Sequence, residues 1–243
     1  MILEAKGVTS GYDRIMVIND ISVSVDKGEI VSIIGRNGVG KSTFMKTLIG
    51  LIRTSRGTIG FDGVDITKMK AHNRAKAGIG YVPQGHGIFP GLTVEENMKM
   101  GSMINTAGKK GNYDMVYEYF PRLAERRKQM AGSMSGGEQA MLSIGRVLVG
   151  DPKILLLDEP SEGVQPNIVS QMGEIVEKIS RELGLTVLMV EQHMGLIQQI
   201  TERAYVLDKG QIIASLDKAQ VNDNEVIKPV SYTHLRAHET GAY

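Results

Sequence analysis

The stretch Gly35-Arg36-Asn37-Gly38-Val39-Gly40-Lys41-Ser42-Thr43 limits what this chain can fold into more than any other part of it. It follows the apolar run Ile30 to Ile34 and precedes Phe44-Met45-Lys46-Thr47-Leu48-Ile49, so a buried strand is expected to turn through a glycine-rich loop into a helix. That order is the setting of a phosphate-binding loop. The glycines let backbone N–H groups come close to an anion, and the helix adds its positive end. Lys41 is expected to reach the outer phosphates, and the Ser42 hydroxyl to complete the shell of a magnesium ion. The run from Gly35 to Thr43 is therefore the candidate phosphate cradle. The plain alternative, a glycine-rich turn with a solvated lysine, leaves the register of strand, loop and helix unexplained.

With 243 residues the chain is within the range of one large domain and long enough to bury a substantial core. A formal net charge of +1 argues against a nucleic-acid partner, because no excess of Lys and Arg is present to replace phosphate counterions. Cysteine is absent, which excludes disulfides and thiolate metal sites and agrees with a reducing compartment. Met1 to Lys6 lacks the features of a signal peptide, and no apolar run approaches membrane-spanning length. The protein is expected to stay where it is made unless a membrane partner holds it.

Before the loop, Leu3 to Val8 and Ile21 to Val25 read as short alternating strands joined by a turn-prone segment containing Gly11-Tyr12-Asp13. An exposed Tyr12 can stack on adenine, a contact type contributing about 1–3 kcal/mol; a half-buried strand-end tyrosine is an equal alternative. After the loop, Gly57 to Gly63 reads as strand and turn, and Gly78 to Pro83 as a strand stopped by proline. Gln84 follows at once, where a side-chain carbonyl can ligate a metal or orient water. From Thr93 to about Arg127 the pattern is helical, opening on a Thr93-Val94-Glu95-Glu96 capping box and interrupted at Gly101, Gly108 and Gly111.

Ser135-Gly136-Gly137 opens the apolar helix from Ala140 to Leu148, a second candidate anion site, although locally a simple N-cap accounts for it as well. Lys153 to Pro160 reads as a buried strand ending in Asp158-Glu159. Neighbouring strand side chains point to opposite sides, so the two acids are expected to have different tasks: Asp158 holding Mg²⁺, Glu159 polarising an attacking water. Pro166 to Leu183 reads as an amphipathic helix with Ile168, Met172, Ile175, Val176 and Ile179 on one face. It leads to the strand Thr186 to Val190, then Glu191-Gln192-His193, then a hairpin turning at Lys209-Gly210.

With loop, glutamine, Ser-Gly-Gly and Asp-Glu in this order, the chain from Met1 to about Lys228 resembles the ATP-binding subunit of an ABC transporter. The resemblance implies an α/β fold: a phosphate-loop NTPase of ABC type, its mixed-sheet core joined by a small antiparallel β subdomain and an inserted helical subdomain at about residues 90–150. It also implies that ATP and Mg²⁺ are bound. Tyr12 would be the adenine-stacking aromatic, Gly35 to Thr43 the Walker A loop, Gln84 the Q-loop residue, Ser135-Gly136-Gly137 the signature core and Asp158-Glu159 the Walker B pair. Ser42, Gln84 and Asp158 would hold the metal. In the family two such subunits face head to tail, each ATP lying between one Walker A loop and the other subunit's signature, with two transmembrane permease subunits and a periplasmic or extracellular substrate-binding protein as further partners. The subunit would then sit at the cytoplasmic face of the plasma membrane.

Three departures stand out. The signature reads Met134-Ser135-Gly136-Gly137-Glu138 in place of Leu-Ser-Gly-Gly-Gln; the D-loop reads Ser161-Glu162-Gly163-Val164-Gln165-Pro166 in place of Ser-Ala-Leu-Asp; and Gln192, not His193, aligns with the switch histidine. Gln192 and His193 are both candidates for the switch. Ile88-Phe89-Pro90, Leu92 to Asn97, Glu159 to Gly163 and Val190-Glu191-Gln192 look like branched-chain amino acid importer ATPases, while Gly38-Val39-Gly40, Pro83-Gln84-Gly85 and Gly163 to Pro166 are also similar to urea and short-chain amide importers. A soluble ABC protein without a membrane partner, or a nucleotide-binding regulatory module without turnover, are the rivals from other classes. Residues 229–240 resemble translated sequencing-adapter sequence, so 229–243 is expected to be a non-native tail, and a metal site at His234, His238 and Glu239 is rejected.

Overall fold

The computed structural model describes residues 1–13, 15–104 and 111–227. In chain order it opens with strands β1 (Leu3–Tyr12), β2 (Ile15–Val25) and β3 (Ile30–Ile34), helix α1 (Lys41–Ile49), and strands β4 (Thr54–Phe61) and β5 (Val64–Asp65). Helix α2 (Ala71–Ala77), β6 (Ile79–Val82), and helices α3 (Val94–Ser102), α4 (Tyr113–Tyr119), α5 (Pro121–Glu125) and α6 (Gly136–Leu148) follow. The chain then runs through β7 (Ile154–Asp158), α7 (Pro166–Leu183), β8 (Thr186–Glu191), α8 (Met194–Ile200), β9 (Arg203–Asp208), β10 (Gln211–Asp217) and α9 (Lys218–Asn222).

Two sheets result. A four-stranded sheet has the order β2-β1-β4-β5 with antiparallel pairing, and a six-stranded sheet has the order β10-β9-β3-β8-β7-β6. In the larger sheet β9, β3, β8, β7 and β6 run parallel and β10 closes the edge as an antiparallel hairpin with β9. This is the α/β, mixed-sheet fold expected from the sequence.

Strands buried on both faces read as continuous apolar runs, and β7 divides its residues accordingly. Leu155 and Leu157 pack into one core with Val94, Met98, Val116, Leu142 and Met172 from the helices. Ile154 and Leu156 pack into a second core with Phe44, Met45 and Leu48 of α1 and Val8, Ile18 and Ile59 of the antiparallel sheet. The carboxyl ends of β3, β8, β7 and β6 therefore lie side by side along one edge, and the candidate residues sit there.

Two expectations are refined. The first hairpin is longer than the sequence suggests: β1 and β2 pair from Leu3↔Val25 to Tyr12↔Ile15, so Tyr12 ends a strand instead of lying in a turn. Tyr12 is 48% exposed. Gly101 stands one residue before α3 ends, and packing is a further reason for it. It lies inside α3, where a Cβ would come 1.8 Å from the Arg146 carbonyl oxygen, so its missing side chain is what lets α3 pack against α6. The Thr93–Glu96 capping box forms as read: the Thr93 hydroxyl accepts from Glu96 N, and the Glu96 carboxylate accepts from Thr93 N at 2.8 Å. Gly108 and the tail, including His234 and His238, lie outside the described residues.

Candidate active site

The loop after β3 enters α1 through Gly40 at φ 108°, a left-handed conformation in which a Cβ would also meet Ile18 at 2.9 Å. Arg36, Asn37 and Gly38 are exposed on the loop's outer side, while Gly35, Gly40, Lys41 and Thr43 are buried. The Lys41 ammonium, 3% exposed, donates to the Gly35 carbonyl at 2.8 Å and the Arg36 carbonyl at 2.9 Å, and pairs with Glu159 Oε1 at 3.0 Å. A buried ammonium needs such partners, since leaving it unpaired costs several kcal/mol. The loop's cation and the acid 118 positions further on thus already share one contact.

The two acids at the end of β7 are not arranged as strand alternation predicts. β7 ends at Asp158, and Glu159 sits at φ 49°, outside the strand geometry on which the alternation depends. Both carboxylates consequently turn toward the loop, on different partners. Ser42 Oγ donates to Asp158 Oδ1 at 2.8 Å, and the Tyr81 hydroxyl donates to Asp158 Oδ2 at 3.0 Å. Glu159 accepts from Gln84 Nε2 at 3.3 Å and from Gln192 Nε2 at 2.9 Å. Gln192 Nε2 also donates to Asn37 Oδ1 of the loop. A positive φ at a non-glycine residue is strained, and it persists here because the Glu159 N–H is fixed to the Val190 carbonyl at 2.9 Å.

Burial pushes the Asp158 carboxyl above the usual carboxylate range, with the nearby Glu159 charge adding to it, against the lowering effect of the Ser42 and Tyr81 hydrogen bonds. Burial and the same Asp158 charge push the Tyr81 hydroxyl far up, so it remains a proton donor. The oxygen donors of Ser42, Asp158 and Gln84 suit a hard cation such as Mg²⁺, which takes one or two carboxylates and completes its shell with neutral oxygens, phosphates and water.

The remaining candidates lie elsewhere. His193, exposed, caps α8: its Nδ1 accepts from Leu196 N at 3.2 Å. Of the two switch candidates, Gln192 is the one that reaches Glu159. Ser135, Gly136 and Gly137 form the start of α6. Ser135 and Glu138 close a capping box, with Glu138 Oε2 accepting from Ser135 N at 3.0 Å and from Ser135 Oγ at 2.9 Å. Arg126 pairs with the same carboxylate at 3.3 Å. The charge that the signature departure introduces is thereby held by the helix start and an arginine. Backbone and side-chain bonds from Ser135, with Arg126 and Arg122 nearby, lower the Glu138 carboxyl's pKa against the opposing effect of burial, the largest single influence.

Sequence reasoning missed two contributors. Tyr81 was read only as part of a strand, yet β6 pairs β7 with Tyr81 opposite Leu156, which sets its hydroxyl beside Asp158. The sequence gives Glu191 a place only in the switch triplet and in a subfamily motif, but it is buried at the end of β8 and accepts from three backbone N–H groups. A carboxylate in an otherwise apolar strand was the signal available for it.

Against known proteins, residues 18–162 match the family model described as ABC transporter. The chain is 46% identical over 210 residues to the high-affinity branched-chain amino acid transport ATP-binding protein BraG of Pseudomonas aeruginosa, covering 85% of this chain and 88% of that protein. It is 36% identical to the lipopolysaccharide export system ATP-binding protein LptB of Haemophilus influenzae, covering 94% and 96%. Among solved structures it is similar to a nucleotide-free ATP-binding cassette from an ABC transporter, with a TM-score of 0.82 and 26% identity over 94% of each chain. It is also similar to the ADP conformation of such a cassette, with a TM-score of 0.81 and 27% identity over 93% and 97%. The chain therefore belongs to the ABC transporter family, as a nucleotide-binding, ATP-hydrolysing subunit.

Proposed function

We propose that this ATPase powers a branched-chain amino acid importer. The observation that carries the reading is the 46% identity to BraG across most of both chains, against 36% for the lipopolysaccharide exporter subunit. Urea or short-chain amide import is the second reading, favoured by Gly163-Val164-Gln165-Pro166.

In this reading the ATP-binding domain spans residues 1–228, with a helical subdomain at about 90–150. ATP stacks on Tyr12, and its phosphates lie in the cradle from Gly35 to Thr43. The incoming phosphates take over the Lys41 ammonium from Glu159, freeing that carboxylate to act as general base on water. Ser42, Asp158 and Gln84 would hold Mg²⁺, which neutralises charge on the phosphate oxygens. Gln192 orients the γ-phosphate end of the site. Ser135 to Gly137 of a second subunit complete it, since in one chain they stand at another helix. The groove of about 300 Å³ between Tyr81, Phe89, Met100, Ile104 and Arg146 supports docking of a permease segment there. Two permeases and a substrate-binding protein then complete the importer, with this subunit at the cytoplasmic face. No helix among the described residues is long and apolar enough to cross a membrane, so the permeases supply the spanning segments.

The test is ATPase activity of the chain assembled with two permease subunits and a binding protein of a branched-chain amino acid importer. Stimulation by leucine, isoleucine or valine is expected. Stimulation by urea or an amide, with none by those amino acids, selects the second reading.

A further inference from the structure

Glu191 ends β8 as a carboxylate only 2% exposed, and its recorded partners are all backbone N–H groups. Oε1 accepts from Gln192 N at 2.6 Å and His193 N at 2.9 Å, while Oε2 accepts from Ser161 N at 3.3 Å. A buried acid held this way has a fixed orientation, because each oxygen is committed to a different segment. Its place in the sheet decides which segments these are. Glu191 pairs with Ile34, the residue before the phosphate loop, and its neighbour Val190 pairs with Asp158. Ser161 stands two positions after Glu159, and Gln192 donates to the Glu159 carboxylate.

We propose that Glu191 is a positioning residue for hydrolysis: its carboxylate ties the loop carrying Gln192 to the segment leaving Glu159, and so holds the Gln192 amide against the Glu159 carboxylate. The inference rests on the reading that Glu159 acts on water. Loss of either arm lets the two segments move independently, leaving the Lys41 and Ser42 contacts of the phosphate loop in place.

Glu191→Gln is the matched variant, since it keeps one acceptor oxygen and turns an NH₂ toward N–H donors on the other side. In the full chain, the Ser161, Gln192 and His193 amides are expected to exchange hydrogen slowly, and Glu191→Gln to accelerate at least one of them by about tenfold or more. Its kcat should fall by about tenfold while KM for ATP and nucleotide Kd stay within about twofold. In a Gln192→Ala background the same substitution should add nothing further. Unprotected amides in the wild-type chain, an unchanged kcat in Glu191→Gln, a wild-type kcat in Gln192→Ala, or independent multiplying effects would each overturn the proposal; the first and third need no Glu191 variant to fold. Hydrolysis retained in Glu159→Gln would instead remove the base reading, and the exchange result would still stand by itself.

Discussion

At the carboxyl ends of β3, β6, β7 and β8, Lys41, Glu159, Gln84 and Gln192 meet through contacts of 2.9–3.3 Å around a buried ion pair. At the start of α6, Ser135 and Glu138 close on each other beside Arg126, and Ser135 and Gly136 are exposed. The first region is a set of charges already satisfied by one another, so a nucleotide must compete with Glu159 for Lys41. The second is a finished helix start whose outward side faces solvent. We propose that in one chain the first can bind phosphate unaided, whereas the second serves a nucleotide only if another chain brings one to it.

The largest expected effect falls on the buried region. Glu159→Gln should lower hydrolysis by about 10²–10⁴-fold, the usual contribution of a general base, while nucleotide binding persists; retained turnover measured as phosphate release would remove Glu159 from that role. Lys41→Ala should abolish tight nucleotide binding and also lower stability by about 3 kcal/mol, because it leaves the Glu159 charge buried without its partner. Adding Glu159→Gln to it should recover much of that stability and none of the activity. Denaturant unfolding of both variants checks this, and equal stabilities would mean that the ion pair is not what holds the region.

At the exposed region the effects should be smaller and of a different kind. Ser135→Ala removes one half of the capping box and should cost about 1 kcal/mol, leaving single-chain nucleotide affinity unchanged while hydrolysis falls. A shifted affinity for the single chain would mean that Ser135 reaches its own nucleotide, and the contrast between the regions would fail. The smallest effect is expected from Tyr81→Phe, which removes one hydrogen bond to Asp158 at about 1 kcal/mol. The Mg²⁺ concentration needed for nucleotide binding should rise by about fivefold, whereas binding in the presence of a chelator should not change. An equal loss with and without Mg²⁺ would make Tyr81 a packing residue.

Much of the fold was legible because its signals are local. Helix α7 runs from Pro166 to Leu183 as read, with proline opening it and Gly184 at φ 65° ending it. Its buried face departs slightly from the reading: Val169, Met172, Val176 and Ile179 are buried, and Ile168 and Ile175 lie at the border. The Lys209-Gly210 turn and the Thr93–Glu96 box were equally plain, since each is contained within a few residues. Less legible were the length of the first hairpin, where Tyr12 belongs to a paired strand, and the role of Gly101, where the reason lies in α6.

The sequence by itself determined which chemical groups are present and in what order: a phosphate loop, a glutamine, a second helix start and two acids, each written in contiguous residues. The tertiary structure decided which of them meet. Glu159 leaves strand geometry at a positive φ, and this turns its carboxylate toward Lys41 when alternation alone would send it away. Strand register brings Tyr81 to Asp158 and places Glu191 between the phosphate-loop strand and the acid-bearing strand. Such meetings depend on pairing between segments far apart in the chain, and no local pattern of residue types encodes that pairing.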